Sequence, residues 1–157
     1  MQISVRPAVK ADLPAIHALV YELAVFEHAP DSHTATIADY EKDYDAGIFQ
    51  VHVAETIDNQ IIGMIFYHIA YSTWRGRQMY LEDFVVTAAY RRFGVGQLLF
   101  SKMVEIARLK GCRLLKWQVL DWNTDAIEFY KKQNAEIENN WLTGKCFFIR
   151  PDGTPIG

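Results

Sequence analysis

The stretch that most restricts how this chain can fold runs from Tyr80-Leu81-Glu82-Asp83-Phe84-Val85-Val86 into Arg91-Arg92-Phe93-Gly94-Val95-Gly96. The first part belongs to a strand-like apolar run over residues 78–87. The second is a basic turn punctuated by glycines. Behind it Val95, Leu99, Met103 and Ile106 recur at the three- and four-residue spacing of a buried helix face. Gly111 then closes that helix in the manner usual for glycine. A strand that passes so directly into an amphipathic helix packs the helix back onto a sheet, which places the chain in the mixed α/β (α+β) class.

The flanking segments extend the layered pattern. Residues 2–7 alternate as a short strand that Pro7 ends, and Asp12 stands where it can cap a helix with Pro14 in the first turn. Leu13, Ile16, Val20, Leu23 and Phe26 give that helix one apolar face. A second, poorer helix covers residues 36–46. Phe49, Val51 and Val53 alternate with Gln50 and His52, and after an Asp58-Asn59 turn the run 61–71 supplies the other arm of a hairpin. Residues 113–120 are predicted as a strand, 123–132 as a short helix capped by Asn123, and 145–150 as a last strand. The predicted order, β-α-α-β-β-β-α-β-α-β, implies a mixed sheet flanked by helices. Without internal repeats, low-complexity tracts or linkers, residues 1–157 are expected to form a single domain.

Composition narrows the function classes. The formal charge of −3 gives no reason to expect a nucleic-acid partner. Residues 1–10 lack a hydrophobic signal core, and no run approaches the ~20 apolar residues of a membrane span. A soluble, cytoplasmic protein without a membrane partner is expected. Cys112 and Cys146 lack metal-ligand spacing and fit small apolar core positions in a reducing compartment. None of the five histidines has a partner at metal spacing, so no metal is assigned.

A helix that starts directly after a glycine turn offers backbone N–H groups at the positive end of its dipole. Such a turn binds anions, phosphates above all, and Arg91 and Arg92 add charge where a polyphosphate can lie. A lone G-x-G also serves ordinary loop geometry. Two familiar phosphate motifs do not fit: Leu99 occupies the third small position of a dinucleotide fingerprint, and Gln97 follows Gly96 where a Walker loop needs lysine.

Arg91-x-x-Gly94-x-Gly96 does resemble the pyrophosphate-binding signature of the GNAT superfamily of N-acetyltransferases, and the order of elements is similar to that superfamily's. Asn123-x-x-Ala126-x-x-Phe129-Tyr130 resembles its second signature, on the helix beside the pantetheine arm. "YLEDF" at 80–84, "ELAVFE" at 22–27, "YSTW" at 71–74 and "WN" at 122–123 are similar to the diamine (spermidine/spermine) N-acetyltransferase branch. The chain departs from it at Asn134, where a glycine is usual, and over residues 136–144, a shorter segment with little in common. The resemblance implies a GNAT-like, mainly antiparallel central sheet whose strands splay at the cofactor site. It also implies acetyl-coenzyme A as co-substrate, and a homodimer.

Carried onto this sequence, the resemblance gives the cofactor's phosphates to Arg91, Arg92 and the turn through Phe93, Gly94, Val95, Gly96 and Gln97. Its pantetheine arm goes to the backbone of Phe84, Val85 and Val86, with Asn123, Ala126 and Tyr130 alongside. An alkyl amine has a pKa near ~10.4, so it arrives as a cation and must lose a proton before it attacks a thioester. A carboxylate near the reaction centre can attract the cation and take that proton. Glu82 is the candidate for that role, although an acidic pair by itself also fits a salt bridge or an exposed strand edge. A local bulge would free backbone groups at residues 84–86 and re-aim Glu82 and Asp83. Tyr130 is placed by the resemblance as general acid for the leaving thiolate, and a tyrosine there also fits simple packing. Phe26, Glu27, Asp83 and Trp117 are the remaining candidates for the amine site. Phe26 could instead complete the helix face with Glu27 solvated, and Trp117 could complete the core.

The residues and the resemblance together predict transfer of an acetyl group from acetyl-coenzyme A to a primary amine of a small diamine or polyamine, directly in a ternary complex. The alternatives are thialysine, another lysine-like amino acid or a protein amine as acceptor, or a coenzyme A-binding protein without catalysis.

Overall fold

Alternation in the sequence becomes strand wherever a partner strand is at hand. In the computed structural model, which describes residues 1–157, contacts gather into two compact units, Met1–Trp117 and Gln118–Gly157. The first carries a five-stranded sheet in the order β1 (Ile3–Pro7), β2 (Gln50–Thr56), β3 (Ile61–Ser72), β4 (Gly76–Val86), β5 (Leu114–Lys116). The pairs from β1 to β4 are antiparallel, and β4–β5 is parallel. Asn59, at φ 63°, turns the predicted β2–β3 hairpin.

Helix α3 (Val95–Leu109) crosses over between β4 and β5 and buries Val95, Leu99, Met103 and Ile106 against Ile62, Ile65, Tyr67, Met79 and Leu81. The other face packs Leu13, Ile16 and Leu19 of α1 (Leu13–Phe26) on Val51, Val53, Met64 and Val85. Tyr40 and Tyr44 of α2 (Ile37–Asp45) join that second core, and Thr36 caps α2 by accepting the Asp39 N–H at 3.1 Å. Close approach within the sheet explains one glycine. A Cβ on Gly63 would stand 2.8 Å from the Val85 carbonyl oxygen, so the β3–β4 contact admits no side chain there.

Several expectations need correction. Asp12 does not cap α1: its carboxylate instead accepts from Arg6 at 2.7 and 3.1 Å and from the Val9 N–H at 2.8 Å, a charged partner outcompeting the helix end. Phe26 does not complete the apolar face of α1 but stays 38% exposed. The strand predicted over 113–120 shortens to Leu114–Lys116. The strand predicted over 145–150 does not form. There the chain turns back on itself through Gly153, at φ 84°, and leaves only an Ile149–Pro155 bridge.

The second unit is built on α4 (Thr124–Lys132), with Asn123 accepting the Ala126 N–H at 3.3 Å as its cap. Asn134 takes φ 61°, the left-handed conformation that glycine would otherwise supply at a helix end. Beyond it Trp141, Leu142, Phe147 and Phe148 are exposed. Cys146 is exposed as well, contrary to its expected core position, whereas Cys112 packs against the α3 core. No helix is long and apolar enough to cross a membrane.

Candidate active site

In β4 the pairing with β3 slips by one residue. Phe66 faces Asp83 while Tyr67 faces Leu81, so Glu82 has no partner across the ladder. Such a bulge changes which side of the sheet the following residues meet. Met79 and Leu81 belong to the core beneath α3, but Val85 belongs to the core beneath α1, with Phe84 and Val86 back on the α3 side. Regular alternation would keep Leu81, Asp83 and Val85 together. The extra residue sets Asp83 on the side of Val85 instead, and alternation from Leu81 puts Glu82 there too. Two consecutive carboxylates therefore share the face that α1 covers.

An open cavity of about 190 Å³ lies on this face, lined by Leu23 and Ala24 of α1, by Glu27 just past its end, by Ser32 and His33 of the following turn, and by Asp83. No lysine or arginine lines it. Burial, then the charges of Glu82 and Glu27, push the Asp83 carboxyl up to about 7. Burial also raises Glu27. Tyr40 is pushed up to about 12 by burial, with Asp83 and Glu82 adding to it, and Tyr80 is raised by the same kinds of cause. Burial and neighbouring carboxylates thus both oppose ionisation of Asp83, Tyr40 and Tyr80, a tension that a ligand cation relieves.

The β4–α3 turn stands beside this face. Arg91 donates from Nε to the Val86 carbonyl at 2.9 Å and holds its guanidinium 5.3 Å from the centre of the Phe26 ring. Arg92 and Gly94 both take left-handed angles, φ 66° and 81°, which swing the chain into α3. The first backbone bond there joins the Leu98 N–H to Gly94 at 3.1 Å, so the first-turn N–H groups have no acceptor within the helix. A Cβ on Gly94 would meet nothing within 4 Å, so the approach to the turn is open. Meanwhile β4 pairs with β5 only from Gln78 to Tyr80, so the edge of β4 that carries Phe84, Val85 and Val86 extends beyond β5. An open strand edge leading to a basic helix start fits the amide-like arm and the phosphates of acetyl-coenzyme A.

Trp117 does not join the acidic face. It packs edge-on to Phe100, with ring centres 5.6 Å apart, against the core beneath α3. In the second unit Asn123 and Ala126 form the start of α4, and Tyr130 is buried with Phe129 edge-on at 5.7 Å.

The sequence model of the acetyltransferase (GNAT) family matches residues 14–135. The chain belongs to the acetyltransferase (GNAT) family. This acetyltransferase is 34% identical to the thialysine N-epsilon-acetyltransferase of Caenorhabditis elegans over 88% of its own length and 84% of that protein. It is 33% identical to the spermidine/spermine N(1)-acetyltransferase-like protein 1 of Homo sapiens over 87% of its length, which spans 21% of that longer protein. Among solved structures, an aminoglycoside acetyltransferase from an uncultured soil metagenomic sample superposes with a TM-score of 0.77 at 17% identity, over 94% of this chain and 100% of that one. At that identity the likeness concerns the fold, a five-stranded, mostly antiparallel sheet flanked by helices. The expected fold, family and acetyltransferase activity are all met.

Several residues around the site escaped the sequence reading. Glu22 accepts from the Thr87 hydroxyl at 2.6 Å and the Ala88 N–H at 3.1 Å, fastening α1 of the acetyltransferase to the start of the β4–α3 turn. Within "ELAVFE" the resemblance marks only Phe26 and Glu27. Tyr40, His17 and His33 come together from α1, α2 and the turn between them, and no local pattern marks that meeting.

Proposed function

We propose that this acetyltransferase moves the acetyl group of acetyl-coenzyme A to a primary amine of a small diamine or polyamine, by direct attack in a ternary complex. One observation carries the reading: the bulge in β4 sets Glu82 and Asp83 on one face, where Asp83 and Glu27 line a cavity without lysine or arginine. An acceptor with a second ammonium group finds its counter-charges there, whereas the carboxylate of an amino acid finds none.

Acetyl-coenzyme A supplies the activated acyl thioester. Arg91, Arg92 and the turn from Phe93 to Gln97 bind its phosphates, and the edge of β4 at Phe84, Val85 and Val86 beyond β5 binds its amide-like arm, a role shared with Asn123 and Ala126 of the second signature. Asp83 and Glu27 hold the acceptor as a cation against Phe26. Glu82 takes the proton that the amine must shed, and the Tyr130 hydroxyl gives one to the departing sulfur. The two compact units serve this one activity as a single catalytic domain, in a cytoplasmic homodimer.

A second reading, thialysine or a related amino acid as acceptor, is favoured by the 34% identity to thialysine acetyltransferases. Thiol release from acetyl-coenzyme A with putrescine, spermidine, lysine and thialysine separates the two. The diamine reading expects the highest kcat/KM with putrescine or spermidine. A clear preference for thialysine or lysine would replace it with the second.

A further inference from the structure

The cavity beside Asp83 is also lined by a residue that neither signature includes. His33 lines it, and its ring lies on that of His17, with centres 4.3 Å apart. Tyr21 and Tyr40 stand at 6.4 and 6.2 Å, so three rings from α1 and α2 hold the imidazole in place. His17 in turn bonds from Nε2 to the Ala35 carbonyl at 2.7 Å, tying the turn that carries His33 to α1.

The hydrogen bonding of His33 fixes which nitrogen holds its proton. Nε2 lies 3.3 Å from the His17 carbonyl oxygen, which can only accept. The neutral ring therefore carries hydrogen on Nε2, and Nδ1 is an acceptor. Burial and the neighbouring His17 both lower the His33 pKa, which favours the neutral ring, and a neutral ring does not repel a cation. Every polar side chain lining the cavity, Glu27, Ser32, His33 and Asp83, can then accept a hydrogen bond. At about 190 Å³ the space is well below the ~300–1,000 Å³ that encloses a whole drug-sized ligand, so it takes one end of a molecule.

We infer that His33 is a specificity-determining residue of the acceptor site: its Nδ1 accepts a hydrogen bond from the non-reacting ammonium of a diamine whose charge Asp83 and Glu27 neutralise. The inference rests on the diamine reading above and adds to it a reason for preferring two ammonium groups to one.

The test compares 1,4-diaminobutane with n-butylamine, of equal chain length, at about pH 8. In His33→Leu the KM for the diamine rises about tenfold while kcat stays within about twofold and the KM for butylamine is unchanged. His33→Asn, which restores an acceptor, recovers most of the loss. An unchanged ratio of the two KM values in His33→Leu overturns the inference while leaving the diamine reading intact. A wild-type enzyme that acetylates neither amine overturns both. Should the variants fail to fold, the wild-type enzyme still decides: the His33 Nδ1 nitrogen resonance shifts on titration with 1,4-diaminobutane and not with butylamine. Equal response to both amines, or to neither, rejects the proposed bond.

Discussion

The guanidinium of Arg91 lies 5.3 Å from the centre of the Phe26 ring, so a cation–π contact joins the end of α1 to the β4–α3 turn. The contact joins a residue expected to face the cofactor with one expected to face the acceptor. Exposed pairs of this kind contribute roughly 0.5–1 kcal/mol. Phe26→Leu keeps the apolar bulk but loses the ring face, and is expected to weaken coenzyme A binding about two- to fivefold in a direct titration. Unchanged affinity would show that the Arg91 bond to the Val86 carbonyl alone holds the side chain in place.

Glu22 fastens the same turn from the other direction. Two hydrogen bonds to a carboxylate, from the Thr87 hydroxyl and the Ala88 N–H, are lost in Glu22→Ala. The expected result is a stability loss of about 1–3 kcal/mol and a several-fold rise in the KM for acetyl-coenzyme A. An unaltered KM alongside the stability loss would confine Glu22 to a structural role.

The Asp83 carboxyl gives a pH signature to folding. Its pKa rises from an ordinary 3.8 to about 7 in the folded chain, so between those values the folded state binds more protons than the unfolded one. Stability then falls as pH climbs through this window and levels off above it. The full shift corresponds to about 4 kcal/mol at most. Asp83→Asn removes the penalty: it is expected to be more stable than the wild type at pH 8 and to lose that advantage near pH 4. Parallel stability curves for the two proteins would contradict the burial of this group beside Glu82 and Glu27.

Tyr130 is tested by removing one oxygen. With a thiolate leaving group in need of a proton, Tyr130→Phe is expected to cut kcat about tenfold or more while coenzyme A affinity holds. Undiminished turnover would leave the hydroxyl with a packing role only.

Much of the fold was legible because its periodicities are local. Val95, Leu99, Met103 and Ile106 mark the buried stripe of α3 without reference to anything distant, and the Asp58-Asn59 turn announces the β2–β3 hairpin. The basic turn at Arg91–Gly96 was readable for the same reason, since a glycine-punctuated helix start is a short-range feature. Failures came where a long-range partner decides the outcome. Asp12 answers Arg6 rather than its own helix, and residues 145–150 have strand composition but no neighbouring strand. The bulge at Glu82 is an intermediate case. Its acidic pair stood out in an apolar run, and a bulge there was anticipated, but only pairing with Phe66 and Tyr67 fixes the slipped register. His33 left no sequence signal, because its place depends on how α1, α2 and the turn between them converge.

The proposed grip of the acidic face on a cation is tested most directly by the acceptor KM of Asp83→Asn across pH. With putrescine, the wild-type KM is expected to fall roughly tenfold between pH 6 and 8 as Asp83 ionises, and Asp83→Asn to stay near the weak pH 6 value throughout. A variant that keeps both the wild-type KM and its pH dependence would contradict the claim that this carboxyl holds the amine.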